Sequence, residues 1–284
     1  MKLLIIIDQE GCSNVVPSQT NEIRTQHMMT QLENFILSVN SDYEIEVLDC
    51  HDNGLNVIPL KTKFPNIVFT AQIWNFNIKA NYDAAVLIGF HAAQGIVSPF
   101  AHTFRNEISK IILDGECVGE VTLLVKWLQS NNIPIVFVHG ESELKNEVNS
   151  LKLPFIPNSA IPQMDQNLIF HNIKYQDSLP IKVQLKNNNY LNAFPSTIFK
   201  FEQNSLLFFN INNFFSNLSY ISIFLNAARN YYLMYIKSIF NQVKWNYSFE
   251  DLKKLNDNRL NNILESQSIT NEDVEYIKQR LKIG

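Results

Sequence analysis

The sequence predicts an α/β fold in which a largely parallel sheet is flanked by helices. Three short apolar runs, residues 3–7, 84–88 and 134–138, have the length and composition of strands buried on both faces. Segments with helical spacing of apolar residues separate them, and this alternation is typical of parallel sheets with right-handed crossovers. The chain of 284 residues is 46% hydrophobic, which suffices for one large domain or two smaller ones.

The connecting elements follow in order. Ser18 or Thr20 is placed to cap a first helix, whose apolar residues continue at helical spacing to Val39. Residues 44–48 alternate as a strand does and lead into a polar turn. Asp114-Gly115 is a favoured hairpin turn between two further strands, and a second apolar helix opens at Gly119-Glu120.

The sequence changes character near residue 145. Prolines punctuate an Asn-rich region before two strand candidates, residues 181–185 and 206–209, and a long apolar helix is predicted over 216–240. Amphipathic segments follow at 249–264 and 274–281. We therefore predict an α/β domain over residues 1–145, a smaller α+β domain over 146–245 and a helical tail over 246–284.

Composition excludes several classes of partner. The net charge is -4 and no basic cluster is interleaved with aromatic residues, so nucleic acid is not an expected partner. No window reaches the ~20 mainly apolar residues of a membrane span, and the first apolar run is too short for a signal peptide. The three cysteines form no CxxC pair, which favours reduced thiols and a cytoplasmic location.

Carboxylates and imidazoles recur where the predicted strands end. Asp8 and Glu10 are two residues apart, so both side chains can point to one side and converge on a cation. The alternative is that Asp8 merely caps the strand while Glu10 is solvated. The other candidates at strand ends, at a helix start or on the loop between are His51, His91, Glu120 and His102.

This donor set has a chemical consequence. Carboxylate oxygens with imidazole nitrogens suit Zn²⁺, and the set contains more ligands than one ion needs. Two ions that share a carboxylate are the natural arrangement for such a set. A pair of ions about 4 Å apart can polarise a carbonyl group, which is hydrolytic chemistry.

Five motifs resemble, in order and spacing, those of the DppA-type D-aminopeptidases, which are zinc metallopeptidases. The family motifs run approximately D-x-E-G, N-D-x-H, G-Y-H-A, S-H-[ST] and V-G-E, and the resemblance covers roughly residues 1–240. The matching segments of this chain are Asp8-Gln9-Glu10-Gly11, Asp49-Cys50-His51, Gly89-Phe90-His91-Ala92, Ala101-His102-Thr103 and Val118-Gly119-Glu120.

The resemblance implies roles for these residues. Asp8 would bridge two zinc ions, Glu10 and His51 would complete one, and His91 and Glu120 the other. His102 matches the catalytic histidine of the family. The activity implied is release of N-terminal, possibly D-, amino acids from short peptides by a ring-shaped homo-oligomer.

Departures from the family bear on the substrate. Val121-Thr122 stands where the family usually has a Gly after V-G-E, and Gly140-Glu141 replaces a Gly-Asp. A basic segment usual in the family is not evident over residues 159–166. The pocket is therefore expected to differ, and specificity for D-residues does not transfer automatically.

Other readings stay open. His139 could be a further ligand but is expected to be structural. His27 and His171 are expected to be solvated. Cys12 and Cys50 are expected to be small buried side chains that fill space in the core. Asp8-Gln9 with Glu116-Cys117-Val118 also resembles isochorismatase-like hydrolases, which would need the Cys117 nucleophile at a helix start. A third reading is a non-catalytic, metal-stabilised assembly subunit.

Overall fold

The computed structural model describes residues 1–52, 54–70, 82–164, 180–186, 200–202 and 205–218, together with residues 221 and 225. These residues belong to a compact unit, Met1–Asn226. His171, the amphipathic segments at 249–264 and 274–281, and most of the helix predicted over 216–240 lie outside the described residues. Within the described part, no helix is both long enough and apolar enough to cross a bilayer.

A six-stranded parallel sheet forms the centre of this unit. In spatial order its strands are β3 (Val68–Thr70), β2 (Glu44–Asp49), β1 (Lys2–Ile7), β4 (Ala84–Phe90), β7 (Ile135–Gly140) and β8 (Phe155–Pro157). Every neighbouring pair is parallel. The predicted α/β class with a parallel sheet is confirmed.

Alternation along β1 decides which side of the sheet the first carboxylate faces. Leu3, Ile5 and Ile7 pack in one cluster with the buried residues of helix α1 (Asn21–Ser38). Because side chains alternate along a strand, Asp8 points to the opposite face. Each large apolar side chain buried in this cluster contributes about 1.5–3 kcal/mol, which fixes the register of the strand and so the direction of Asp8.

Three α-helices lie within the described residues up to 164. Helix α1 begins after Thr20, whose side chain accepts a hydrogen bond from Ile23 N, as an N-cap residue does. Helix α2 (Glu120–Ser130) starts at the predicted position, and α3 (Lys145–Ser150) is a short helix that the sequence did not predict.

A second, antiparallel sheet contains the predicted hairpin. Its strands, in spatial order, are β10 (Lys200–Glu202), β11 (Ser205–Phe208), β9 (Ile181–Leu185), β5 (Ile108–Leu113) and β6 (Glu116–Val118). Asp114 and Gly115 join β5 to β6 with φ of 54° and 81°, the positive values that a two-residue hairpin turn needs. The sheet takes strands from both sides of residue 145, and the predicted domain boundaries stay a prediction.

Two element bounds differ from the prediction. Strand β7 continues to Gly140, so His139 lies inside the strand and not after it. The helix predicted from residue 216 begins earlier, because residues 211–218 are helical and the Asn210 side chain accepts a 2.7 Å hydrogen bond from Asn213 N. Asn at this position caps the helix, a signal that the apolar pattern alone does not carry.

Candidate metal centre

The predicted ligands meet at the carboxyl ends of β1, β2 and β4. Asp8 and His91 each follow directly after a strand, and both are buried. His51 lies in the turn after β2, and Glu120 is the first residue of α2. The structure thus brings together side chains that are more than one hundred residues apart in sequence, at the edge where parallel sheets bind ligands.

The turn after β1 explains why a glycine follows Glu10. Gly11 N donates to Gly89 O at 2.8 Å, and Asp8 N donates to Ile88 O at 2.9 Å. A Cβ atom on Gly11 would lie 1.8 Å from the Phe90 carbonyl oxygen, so no other residue permits this approach. The turn is thereby held against the end of β4, beside His91.

Asp8 contacts two histidines through different oxygens. Its Oδ1 lies 3.3 Å from His51 Nδ1, and its Oδ2 lies 3.5 Å from His91 Nε2. His51 Nδ1 is also 2.9 Å from Glu10 Oε2, and His91 Nε2 is 3.4 Å from Glu120 Oε1. Asp8 therefore stands between a Glu10–His51 pair and a His91–Glu120 pair.

Burial and mutual contact change the pKa values of these groups. Burial, and then the neighbouring Glu10 charge, raise the pKa of Asp8 to about 7. Burial alone would lower the pKa of His51, but the Asp8 and Glu10 carboxylates beside its ring outweigh that effect and raise the pKa to about 10. Burial likewise opposes the effect of Glu120 on His91, whose pKa nevertheless lies well above its usual value.

Two carboxylate oxygens in this cluster lack the partners that buried atoms require. Asp8 Oδ2 and Glu10 Oε2 are buried and accept no directed hydrogen bond, although imidazole nitrogens are near them. Buried polar atoms without partners are rare, and a cation among them would supply the missing interaction. Among the described residues, two groups have donor atoms within 4.8 Å of one another, namely Asp8, Glu10 and His91, and His91, His102 and Glu120. Oxygen with imidazole nitrogen fits zinc.

His102 and His91 form a stacked pair with one common orientation. Their ring centroids are 4.2 Å apart and their planes differ by 8°. His91 Nδ1 is 3.0 Å from Ala92 O, and His102 Nδ1 is 2.8 Å from Phe100 O. Each carbonyl accepts an Nδ1–H, so in the neutral form of either ring the lone pair lies on Nε2. The His102 side chain is 23% exposed and that of His91 only 1%, so His102 is the one open to solvent.

A buried carboxylate, Asp49, shapes the turn that carries His51. Its oxygens accept hydrogen bonds from His51 N at 3.0 Å, from Asn56 N at 2.7 Å and from Val57 N at 3.3 Å. Burial raises the pKa of Asp49, against the lowering effect of these bonds. Asp49 belongs to a segment that matches a family motif, but the sequence alone gave it no role.

Helix α2 is capped from outside its own segment. Its N-cap residue, Gly119, has no side chain to offer, and Glu147 of α3 accepts from Thr122 N at 2.9 Å and from Thr122 Oγ1 at 2.7 Å. An acidic group at a helix N-terminus also complements the helix dipole. Glu147 therefore stabilises the turn of helix that presents Glu120, and no local sequence pattern indicates this.

The other candidates lie elsewhere. His139 contacts Gly89 N, the Ala160 carbonyl and Gln31, and belongs to neither donor group. His27 lies on α1 near Gln19. Cys117 is exposed within β6 and not at the start of a helix, so the arrangement required by the isochorismatase-like alternative is not present.

Comparison with known proteins identifies the family of this chain. The profile of the D-aminopeptidase family, peptidase family M55, matches residues 1–160, which is more than half of the chain. The chain belongs to the D-aminopeptidase family. It is therefore a peptidase, and the predicted family resemblance is confirmed. All five segments that carried the resemblance fall inside the matched region.

The fold is also that of a solved D-aminopeptidase. The Zn-dependent D-aminopeptidase DppA from Bacillus subtilis, a self-compartmentalizing protease, superposes with a TM-score of 0.61 at 15% sequence identity. The match covers 81% of this chain and 98% of that one. No curated protein sequence matches this chain.

Proposed function

We propose that this member of the D-aminopeptidase family is a zinc-dependent aminopeptidase. It removes N-terminal amino acids, D-amino acids among them, from short peptides at a dinuclear zinc site. The observation that carries the proposal is the buried cluster at the strand ends, where carboxylate oxygens without hydrogen-bond partners face imidazole nitrogens. Such a cluster is costly without a cation.

Asp8 is proposed as the bridging ligand of two zinc ions. Its two oxygens face different histidines, which supports a shared position. Glu10 and His51 would complete one ion, and His91 and Glu120 the other. When bound, a zinc pair supplies Lewis acidity toward a carbonyl group and activates water.

His102 is proposed as the catalytic residue. Its Nδ1–H is held by the Phe100 carbonyl, so its Nε2 is free to take up and return a proton during amide cleavage. In His102→Ala we expect zinc content to be retained and kcat to fall by ~10²-fold or more. A histidine that only orients a ligand would instead lower zinc affinity by ~10-fold or more, and activity would recover in excess zinc.

The experiment for the function as a whole is elemental analysis followed by a peptide screen. D- and L-aminoacyl peptides are offered to the zinc-loaded protein with and without a chelator, and we expect release of the N-terminal residue that the chelator abolishes. Cys117→Ser is the control, because this exposed thiol lies on β6 and should not affect turnover. Bound zinc without hydrolysis of any peptide would favour the assembly-subunit reading instead.

A homo-oligomeric ring is the proposed assembly. DppA is a self-compartmentalizing protease of the same fold, which supports assembly here. Light scattering at micromolar concentration should therefore give several times the monomer mass of 32.8 kDa, and a monomer would contradict the proposal. Free thiols at Cys12, Cys50 and Cys117 agree with the expected cytoplasmic location, which stays a prediction.

A further inference from the structure

Glu141 is a buried carboxylate at the end of β7 that has no part in the proposed metal set. Its backbone N donates to Phe90 O at 3.0 Å. The preceding Gly140 permits this approach, because a Cβ atom there would lie 2.1 Å from the same oxygen. The Glu141 side chain is thereby held against the loop that runs from β4 to His102.

One set of contacts leads from Glu141 to His91. Glu141 Oε1 accepts a hydrogen bond from Ala92 N, and the Ala92 carbonyl is the group that His91 Nδ1 contacts at 3.0 Å. The carboxylate therefore holds the backbone N–H of Ala92, the residue whose own carbonyl contacts His91 Nδ1, and in this way supports the orientation of the His91 ring.

A second set of contacts leads from Glu141 to His102. The Ser98 hydroxyl lies 2.7 Å from both oxygens of Glu141, and the same hydroxyl accepts from Phe100 N at 3.4 Å. The Phe100 carbonyl then accepts from His102 Nδ1 at 2.8 Å. Ser98 thus links the carboxylate to the residue that orients His102.

We propose that Glu141 is a positioning residue that sets the ring orientations of His91 and His102 together, the second through Ser98. The inference rests on the roles given to these two histidines under the proposed function. Their rings are stacked, so a rotation of either one changes the packing of the other. A single buried acceptor can therefore keep both Nε2 atoms directed at the Glu120 carboxylate, at 3.4 and 3.9 Å.

Ser98→Ala separates the second set of contacts from the first. We expect kcat to fall ~10-fold while KM and zinc content stay unchanged, because only His102 loses its support. In a His102→Ala background the same change should cause no further loss, since Ser98 acts through that ring. Ser142→Ala is the matched control: its exposed hydroxyl donates to Glu143, so turnover should stay within about twofold of wild type.

Substitutions of Glu141 test both sets of contacts at once. Glu141→Ala should lower zinc affinity ~10-fold as well as kcat, because His91 also loses its support. Glu141→Gln keeps an acceptor oxygen of the same reach and should restore most of both quantities. A general packing defect would not be rescued by an amide in this way.

Crystal structures of the Ser98→Ala and Ser142→Ala proteins make the test independent of turnover. In Ser98→Ala we expect the His102 ring to leave its stack on His91 and to lose the Phe100 contact, whereas Ser142→Ala keeps both. If no peptide is hydrolysed by the wild type, the proposed function fails and the ring positions alone decide this inference. A His102 ring unmoved in Ser98→Ala, or kinetic losses of Ser98→Ala and His102→Ala that multiply, would overturn it.

Discussion

His91 directly follows β4 and His139 is the last residue but one of the neighbouring strand β7. Both side chains are buried, yet their surroundings differ in charge. His91 faces Asp8 and Glu120, whereas His139 contacts a backbone N–H, a backbone carbonyl and the Gln31 amide. Burial lowers the pKa of His139 to about 4. Burial acts in the same direction on His91, but the carboxylates raise its pKa well above the usual value.

The comparison shows that a histidine near the end of a strand is suited to bind a metal ion only when other segments place carboxylates beside it. Both histidines follow apolar runs that look alike in sequence. The carboxylates that distinguish them come from the turn after β1 and from the first residue of α2, not from the histidine's own strand. A neutral imidazole that is hydrogen-bonded in a core stabilises the fold. An imidazole that is surrounded by carboxylates can instead form part of a cation-binding site.

Replacing each histidine by glutamine should reveal the largest difference between the two positions, in zinc content and in peptidase activity. We expect His91→Gln to lower peptidase activity by ~10²-fold or more and to reduce bound zinc, because a proposed ligand is lost. His139→Gln can keep contacts to Gly89 N and the Ala160 carbonyl and should bind zinc as the wild type does. Elemental analysis and turnover of the two variants, measured side by side, check this, and equal zinc loss in both would break the comparison.

Thermal unfolding with and without zinc should also distinguish the proposed ligand His91 from the structural residue His139. A ligand that binds only the native state at 1,000 times its Kd stabilises that state by about 4 kcal/mol. For a chain of this size the increase in Tm is roughly 7 °C. We expect this increase in the wild type and in His139→Gln, and a much smaller one in His91→Gln. A zinc-dependent Tm that survives His91→Gln would mean that the ion binds elsewhere.

A smaller effect is expected in the pH dependence of stability. The unfolded chain protonates His139 near its usual pKa of 6.5, whereas the native state does so only near 4. Unfolding therefore takes up a proton in this window, and His139 costs the native state up to about 3 kcal/mol as the pH falls through it.

His139→Gln has no proton to take up at this position. The difference in free energy of unfolding between wild type and variant should therefore shift in favour of the variant as pH drops from 6.5 to 4. Denaturant titrations at several pH values give this difference directly. A constant difference across the window would show that His139 is not held neutral.

The sequence was sufficient to predict the buried central strands but not the short strands at the edges of the sheets. Strands β1, β4 and β7 follow from continuous apolar runs, and the β5–β6 hairpin follows from Asp114-Gly115. Strand β8 was missed because Pro154 and Pro157 read as loop signals, although an edge strand tolerates proline where no hydrogen bond is needed. The three-residue strands β3 and β10 are too short for a periodic signal.

The sequence also predicted only part of the candidate site. The proposed ligands could be predicted because parallel strands place their carboxyl ends at one edge of the sheet. The residues that support those ligands could not be predicted, because Glu141 contacts Ser98 at a separation of 43 positions in sequence and Glu147 contacts Thr122 at a separation of 25. Such contacts depend on how the strand ends approach one another, which here requires Gly11 and Gly140 against the same Phe90 carbonyl. No local pattern carries that information.

Anomalous scattering at the zinc edge, from crystals of the zinc-loaded protein, locates the proposed ions directly. We expect two peaks per chain on either side of Asp8, one beside Glu10 and His51 and the other beside His91 and Glu120. No peak at this edge of the sheet, or a peak at His139 instead, would contradict this expectation.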